Sequence, residues 1–370
     1  MNVDAIWIDL ERRPIMTKRE NLLAMLHRQP YEEVPVEFNL CPSLVETLYE
    51  KTGTRNYAEY FGMPWRNVED IHLSYDPEIY RKYYPQGLKE GTRIDIWGVA
   101  HEPGSAEAKH MTRMRNPMAY MEELEEIQEY PFPDFRNGDR SHQKGQVEEI
   151  HARGLAAVGN MQMTIWETAW YIRGMENLMV DMACEPEMAA WVFDKVTEQA
   201  VVRAKAFVEA GVDILYLGDD IGMQNGPMMS GEMYCEWIKP RLKQVIDAAK
   251  SINPDIIVFY HSCGTVTSFI PDLIECGVDV LNPIQSECMD FEEIYQTYGD
   301  KICFHGTIGT QTVMPFGTPE EVRAAVTRNL DIASKGGLFV APTHLLEPEV
   351  PWENILAYVE ACRDYKPQRG

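Results

Sequence analysis

The tripeptide His261-Ser262-Cys263 sets an imidazole and a thiol two residues apart at the end of the apolar run IIVFYHSC. A chain leaving a strand begins to turn there, strict alternation breaks down, and both side chains can reach one ion. Zinc accepts such N and S donors tetrahedrally, and a catalytic site leaves one position open. As a bare pattern H-x-C is weak, and a buried thiol beside a hydrogen-bonded imidazole is the bland alternative. Gly264 follows the pair, and further histidines close other apolar runs, which turns the reading toward a metal pair. His344, at the end of GGLFVAPTH, is the candidate third ligand or else a substrate contact. His305 is its alternative, with a hydrogen-bonded supporting role as the plainer reading of either.

Asp219 and Asp220 in LGDDIG are candidate catalytic carboxylates, because like charges this close in a dry site cannot both ionise comfortably. The plain reading is a solvated turn or a helix N-cap. Glu167 in IWETAWYIRG either faces the same cavity or pairs with Arg173, while Asn160, Gln285 and His305 are candidate substrate contacts. Trp166, Trp170 and Tyr171 could wall an apolar pocket, although such a cluster is more often core.

The elements that must position these residues recur regularly from about residue 150. Apolar runs at 155–160, 213–220, 256–263, 278–282, 301–306 and 337–344 alternate with segments of helical spacing such as TPEEVRAAVTRNLDIASK. Repeated strand-helix-strand order implies a parallel sheet, and a closed (β/α) barrel is favoured over a doubly wound sheet. No G-x-G-x-x-G or Walker pattern follows a strand, so nucleotide binding has no support. Nearly every run ends in a polar residue (Asn160, Asp219 and Asp220, His261 and Cys263, Asn282 with Gln285, His305, His344). In a barrel those ends open on one face, where active sites are built. Earlier in the chain, Thr17 and Glu20 form a capping-box pattern ahead of Leu22, Leu23 and Leu26, and Val34 to Phe38 is strand-like. Residues 41–135 read as an insertion or lid, with DIWGVAHEPG as a hairpin.

Bulk properties bound the rest. At 370 residues, a barrel with insertions needs no second core, so residues 1–370 are expected to be one domain. A net charge of -24, from 58 acidic against 34 basic residues, disfavours nucleic acid and anionic membranes as partners. The start MNVDAIWIDLERRP lacks an apolar leader, no run approaches the length of a membrane span, and a cytoplasmic location is expected. The eight cysteines form no disulfide-like framework; Cys184, Cys235, Cys276 and Cys362 lie in helix-like stretches and are expected as buried thiols. His27, His72, His101, His110, His142 and His151 are expected at the surface.

Segments spread over most of the chain resemble the uroporphyrinogen decarboxylase superfamily, in its branch of zinc-dependent corrinoid-linked methyltransferases. They are TKRENLLAMLHRQPYEEVPVEF, ETAWYIRGMENLMVDMACEPE, GDDIGMQNGPMMS, HSCGTVTSFIPDLIECGVDVLNPIQ and the APTH…PEVPWENI ending. The resemblance implies a (β/α)8 TIM barrel and methyl transfer between a small methylated substrate and a corrinoid (cobalamin) held on a separate partner protein. It implies zinc at His261 and Cys263 as the Lewis acid, with a third ligand at a position where the branch has cysteine and this chain has His344. An O-methyl donor such as a phenyl methyl ether suits the aromatic content, and a homodimer is compatible with the reading. The decarboxylase branch holds substrate carboxylates with arginines after its first strand, where this chain reads NLCPSLVETLYEK, so decarboxylation is the weaker implication. A metal-free lyase using Asp219 or Asp220 would survive chelation. In a binding module without catalysis, His261, Cys263 and His344 would fail to converge.

Overall fold

A computed structural model describes residues 16–104 and 112–367; His110 and the first fifteen residues lie outside the described residues. Seven strands make one parallel sheet in chain order. They are β1 (Trp65–Val68), β2 (Ala156–Gln162), β3 (Ile214–Gly218), β4 (Ile257–His261), β5 (Val280–Ile284), β6 (Cys303–Ile308) and β7 (Leu338–Pro342). Six of them fall on the six expected runs. The first does not: β1 lies inside the 41–135 stretch expected as an insertion. Its sequence, WRNV, carries too little apolar signal to announce a strand, and pairing with β2 makes it one.

Alternation along these strands explains the interior. Ala156, Val158, Ile214, Ile257, Phe259, Val280, Cys303 and Phe339 form one buried cluster, capped by Leu22, Met25 and Leu26 of α1 (Lys18–Leu26). Stepping two residues at a time toward the C-terminal ends, the same inward face becomes Asn160, Gly218, His261, Asn282 and His305. The barrel is thus plugged with apolar side chains below and polar above. The intervening residues, among them Leu215, Leu217, Val258, Tyr260, Leu281, Phe304 and Val340, pack outward in the larger core, which also holds helix residues. Helix α1 begins at the expected capping box, Thr17 accepting from Glu20 N–H at 3.2 Å and Glu20 accepting from Thr17 N–H at 2.7 Å.

The eighth stave is irregular. Val34–Phe38 is buried as a strand would be, yet it has no ladder; Leu40 makes one isolated bridge to Leu346. Its place beside β7 is held instead by Tyr358 of the last helix (Trp352–Asp364). This buried hydroxyl lies 3.1 Å from the carbonyls of both Glu37 and Val340 and accepts from Glu37 N–H at 3.3 Å.

The expected hairpin is present: Ile94 pairs with Ala100, and a third strand, Thr112–Arg115, extends it into a small antiparallel sheet. Cys276 and Cys362 are buried as expected, whereas Cys184 and Cys235 are exposed, their helices turning those positions outward. His101, His142 and His151 also depart from the surface expectation, all three being partly buried, His101 and His151 against Asp95 and Asp213 at 2.8 Å each.

Candidate metal centre and cavity

Two glycine-bearing loops bring the chemistry together. After β3 the chain runs Gly218-Asp219-Asp220, and after β4 it runs His261-Ser262-Cys263-Gly264. Gly218 is paired with His261 across the ladder, and a Cβ there would sit 2.6 Å from the His261 Cβ. Gly264 adopts φ +80°, and a Cβ would meet Gly222 and Met223 backbone at 2.7–2.8 Å. Only glycine permits both the positive φ and the close approach at that position. The loops therefore nest, and Cys263 N–H donates to Asp220 Oδ1 at 2.7 Å.

The nesting gathers three donor atoms. Cys263 Sγ is 3.4 Å from His261 Nε2, which is 3.6 Å from Asp220 Oδ1, and all three ligand atoms lie within 4.8 Å of one another. Tetrahedral zinc with ordinary bond lengths separates such donors by about 3.3–3.6 Å, so the residues present fit that ion. The electrostatics agree. Burial, then the Asp220 and Glu167 carboxylates, push the Cys263 thiol up to about 12, and burial lowers the His261 imidazole. A thiol in such surroundings stays protonated until a cation reverses the balance.

His261 is oriented from behind. Its Nδ1 lies 2.6 Å from Asn282 Oδ1, its ladder neighbour, and Tyr216 O–H donates to the same oxygen at 2.8 Å. For Nε2 to present a lone pair to an ion, Nδ1 must carry the hydrogen and the facing atom must be the amide oxygen. The Asn282 amide nitrogen then donates to His305 Nδ1. His305 Nε2 is 3.2 Å from Glu37 Oε2 without making an aligned hydrogen bond to it. A polar line thus crosses the barrel from the donor cluster to Glu37.

The other expected residues separate into distinct roles. Asp219 is fully buried and accepts from the backbone of Ile165 and Glu167 at 2.9–3.1 Å, capping the helix Trp166–Arg173. That cap swings Glu167 toward Asp220, whose N–H it accepts at 3.1 Å, while Tyr171 O–H donates to its other oxygen at 2.8 Å. Burial and the Asp220 charge push the Glu167 carboxyl up to about 7. Arg173 pairs with Asp181 at 2.7 Å and not with Glu167. Trp166 is core, with Trp170 and Tyr171 partly buried against it. Gln285 accepts from Gly264 N–H at 3.0 Å and so braces the loop. Asn160, His305 and His344 line one cavity of about 310 Å³ with His261 and Asn282; His344 is exposed and stands outside the three-donor group, where Asp220 is found. Glu37, Trp65 and Tyr216 also line this cavity. The sequence signals were a carboxylate within the apolar run VPVEF for Glu37 and a tyrosine inside the apolar run DILYLGDD for Tyr216, whereas Trp65, on the unannounced β1, had none.

Comparison with known proteins places this arrangement. Residues 114–365 match the family described as Uroporphyrinogen decarboxylase (URO-D). The chain is 24% identical to the Methylcobamide:CoM methyltransferase MtaA of Methanosarcina barkeri, covering 94% of this chain and 98% of that one. It is 26% identical to the Methylated-thiol--coenzyme M methyltransferase of Methanosarcina mazei, over 60% of this chain and 57% of that relative's length. A Uroporphyrinogen decarboxylase of Chlorobium luteolum is 28% identical over 49% of this chain and 50% of its own. A solved methyltransferase from Methanosarcina mazei shares the fold, with TM-score 0.67 and 20% identity over 94% of this chain and 98% of that one.

Proposed function

Because the chain belongs to the uroporphyrinogen decarboxylase family, we propose that it is a zinc-dependent methyltransferase moving a methyl group between a small methylated substrate and a corrinoid carried by a partner protein. The observation that carries this reading is the convergence of Asp220, His261 and Cys263 at the mouth of the barrel. The relatives that match nearly end to end are named as methylcobamide methyltransferases, which supports the same class. A phenyl methyl ether is the substrate we favour, demethylated at oxygen. One domain, with parts of 41–135 covering the mouth, completes the proposal.

Bound zinc would supply Lewis-acid stabilisation to the heteroatom that bears the methyl group. The chain's residues do the remainder. His261 is held with Nε2 forward by Asn282 while burial disfavours its charged form, and Cys263 is held by its backbone bond to Asp220. Glu167 can keep a proton near neutral pH beside Asp220. His344, Asn160 and His305 face the reactant from the cavity wall, and the open mouth faces the carrier. A decarboxylase reading has less support, since the described cavity lining offers no arginine to multiple substrate carboxylates.

The test is to follow the cobalt spectrum of a reduced corrinoid carrier mixed with the zinc-loaded chain and a panel of O-, N- and S-methyl donors. Methylation of cobalt is expected with an O-methyl donor, and Cys263→Ala should lose both most of the zinc and the reaction. His344→Ala should keep its zinc within about threefold while slowing transfer. Full zinc retention in Cys263→Ala, or turnover without a corrinoid, would refute the proposal.

A further inference from the structure

We infer that the barrel cavity takes a small reactant without negative charge, whose end remote from the donor cluster offers an N–H or O–H to Glu37. This rests on the methyl-transfer reading and narrows its substrate. Glu37 is the only carboxylate among the described lining residues, and no lysine or arginine joins it. It is 7% exposed, and its contacts are meagre: the unaligned approach of His305 at 3.2 Å and Asn39 Nδ2 at 3.4 Å. An ionised carboxyl has about four acceptor sites, and burying it without donors is costly.

On the neighbouring part of the wall the amides Asn160 and Gln162 of β2 are flanked by Trp65 of β1 and Tyr216 of β3. A sulfonate or carboxylate presented to the Glu37 end meets a carboxyl side chain and no lysine or arginine, the repulsive arrangement by which sites reject ligands. A hydroxyl or ammonium supplies the donor that Glu37 lacks, and the aromatic faces tolerate a cation as well. The volume of about 310 Å³ suits one substituted ring.

Calorimetric binding to the zinc-loaded full chain at pH 7, without any corrinoid carrier, tests this. The probes are 4-methoxyphenol, 4-methoxybenzylamine, methoxybenzene, 4-methoxybenzoate and 2-(methylthio)ethanesulfonate. The phenol or the amine should bind about tenfold more tightly than methoxybenzene, and whichever binds better identifies the donor. Both anions should bind at least ~100-fold more weakly than that probe. Glu37→Gln should narrow the gap between 4-methoxyphenol and 4-methoxybenzoate about tenfold, with zinc content and melting temperature as checks on the fold. If that variant does not fold, Asn39→Asp serves, and should widen the same gap. Anions binding within tenfold of the neutral donor, or a gap unchanged by these substitutions, would overturn the inference. Because no methyl transfer is involved, the binding order stands apart from the failure or success of the cobalt assay.

Discussion

Replacing Asn282 by leucine should weaken zinc binding although Asn282 touches no donor electron pair that would hold the ion. Its amide oxygen receives His261 Nδ1–H at 2.6 Å and the Tyr216 hydroxyl at 2.8 Å, in a residue only 4% exposed. Leucine has similar bulk but no acceptor, so the imidazole loses the partner that fixes its hydrogen on Nδ1 and its Nε2 toward Cys263 and Asp220. Supporting partners of this kind are worth about 10–100-fold in metal affinity, or ~1.4–2.8 kcal/mol. The stranded Tyr216 hydroxyl should cost a further ~1–3 kcal/mol of stability, metal or no metal. Asn282→Asp separates the two effects. It keeps an acceptor toward His261 and toward Tyr216 and loses only the donation to His305, so its zinc affinity should stay within about threefold of the original. The assay is competition for zinc with a chromophoric chelator at pH 7, with thermal unfolding of the metal-free variants alongside. Unchanged affinity in Asn282→Leu, or an equal fall in both variants, would refute the idea that the amide oxygen sets the histidine.

Two further outcomes follow from buried groups. In the metal-free chain Glu167 sits near 7 against an ordinary 4.5, so the folded state holds that proton more tightly than the unfolded one. Stability should therefore fall as pH rises from about 4.5 to about 7, by up to ~3 kcal/mol from this group, and denaturant unfolding of Glu167→Gln should show a flatter pH profile over that window. Tyr358→Phe removes the hydroxyl shared by Glu37 and Val340 and leaves a buried backbone donor without its acceptor; a loss of ~1–3 kcal/mol in chemical denaturation is expected, and none at all would mean the stave is held by packing alone.

The strands were legible because buried parallel strands read as continuous apolar runs, and their C-terminal polar residues marked the mouth. His261 and Cys263 stood out for the same reason. What the sequence could not tell was partnership across strands. Asn282 was visible as a strand-end residue, but its role depends on lying opposite His261 in register, which only the ladder reveals. Asp219 and Asp220 were equivalent on paper; the turn after β3 sends one into the helix cap and the other to the donor cluster. Trp65–Val68 was missed because four residues with two polar side chains have no periodicity to detect, and Val34–Phe38 had a strand's composition without a strand's ladder.

That unladdered stave makes the two walls of the cavity unequal in stiffness. On one side, His261 belongs to a strand bonded along both edges; on the other, Glu37 hangs from a single tyrosine hydroxyl and one bridge at Leu40. Amide exchange should sort them, with residues 257–261 slow and 34–40 fast. A lineage changing its substrate would find the fast wall the cheaper one to rewrite. Exchanges there alter the room available to a reactant without disturbing the geometry of Asp220, His261 and Cys263, so substitutions between residues 37 and 40 are expected to change substrate preference before they change zinc affinity.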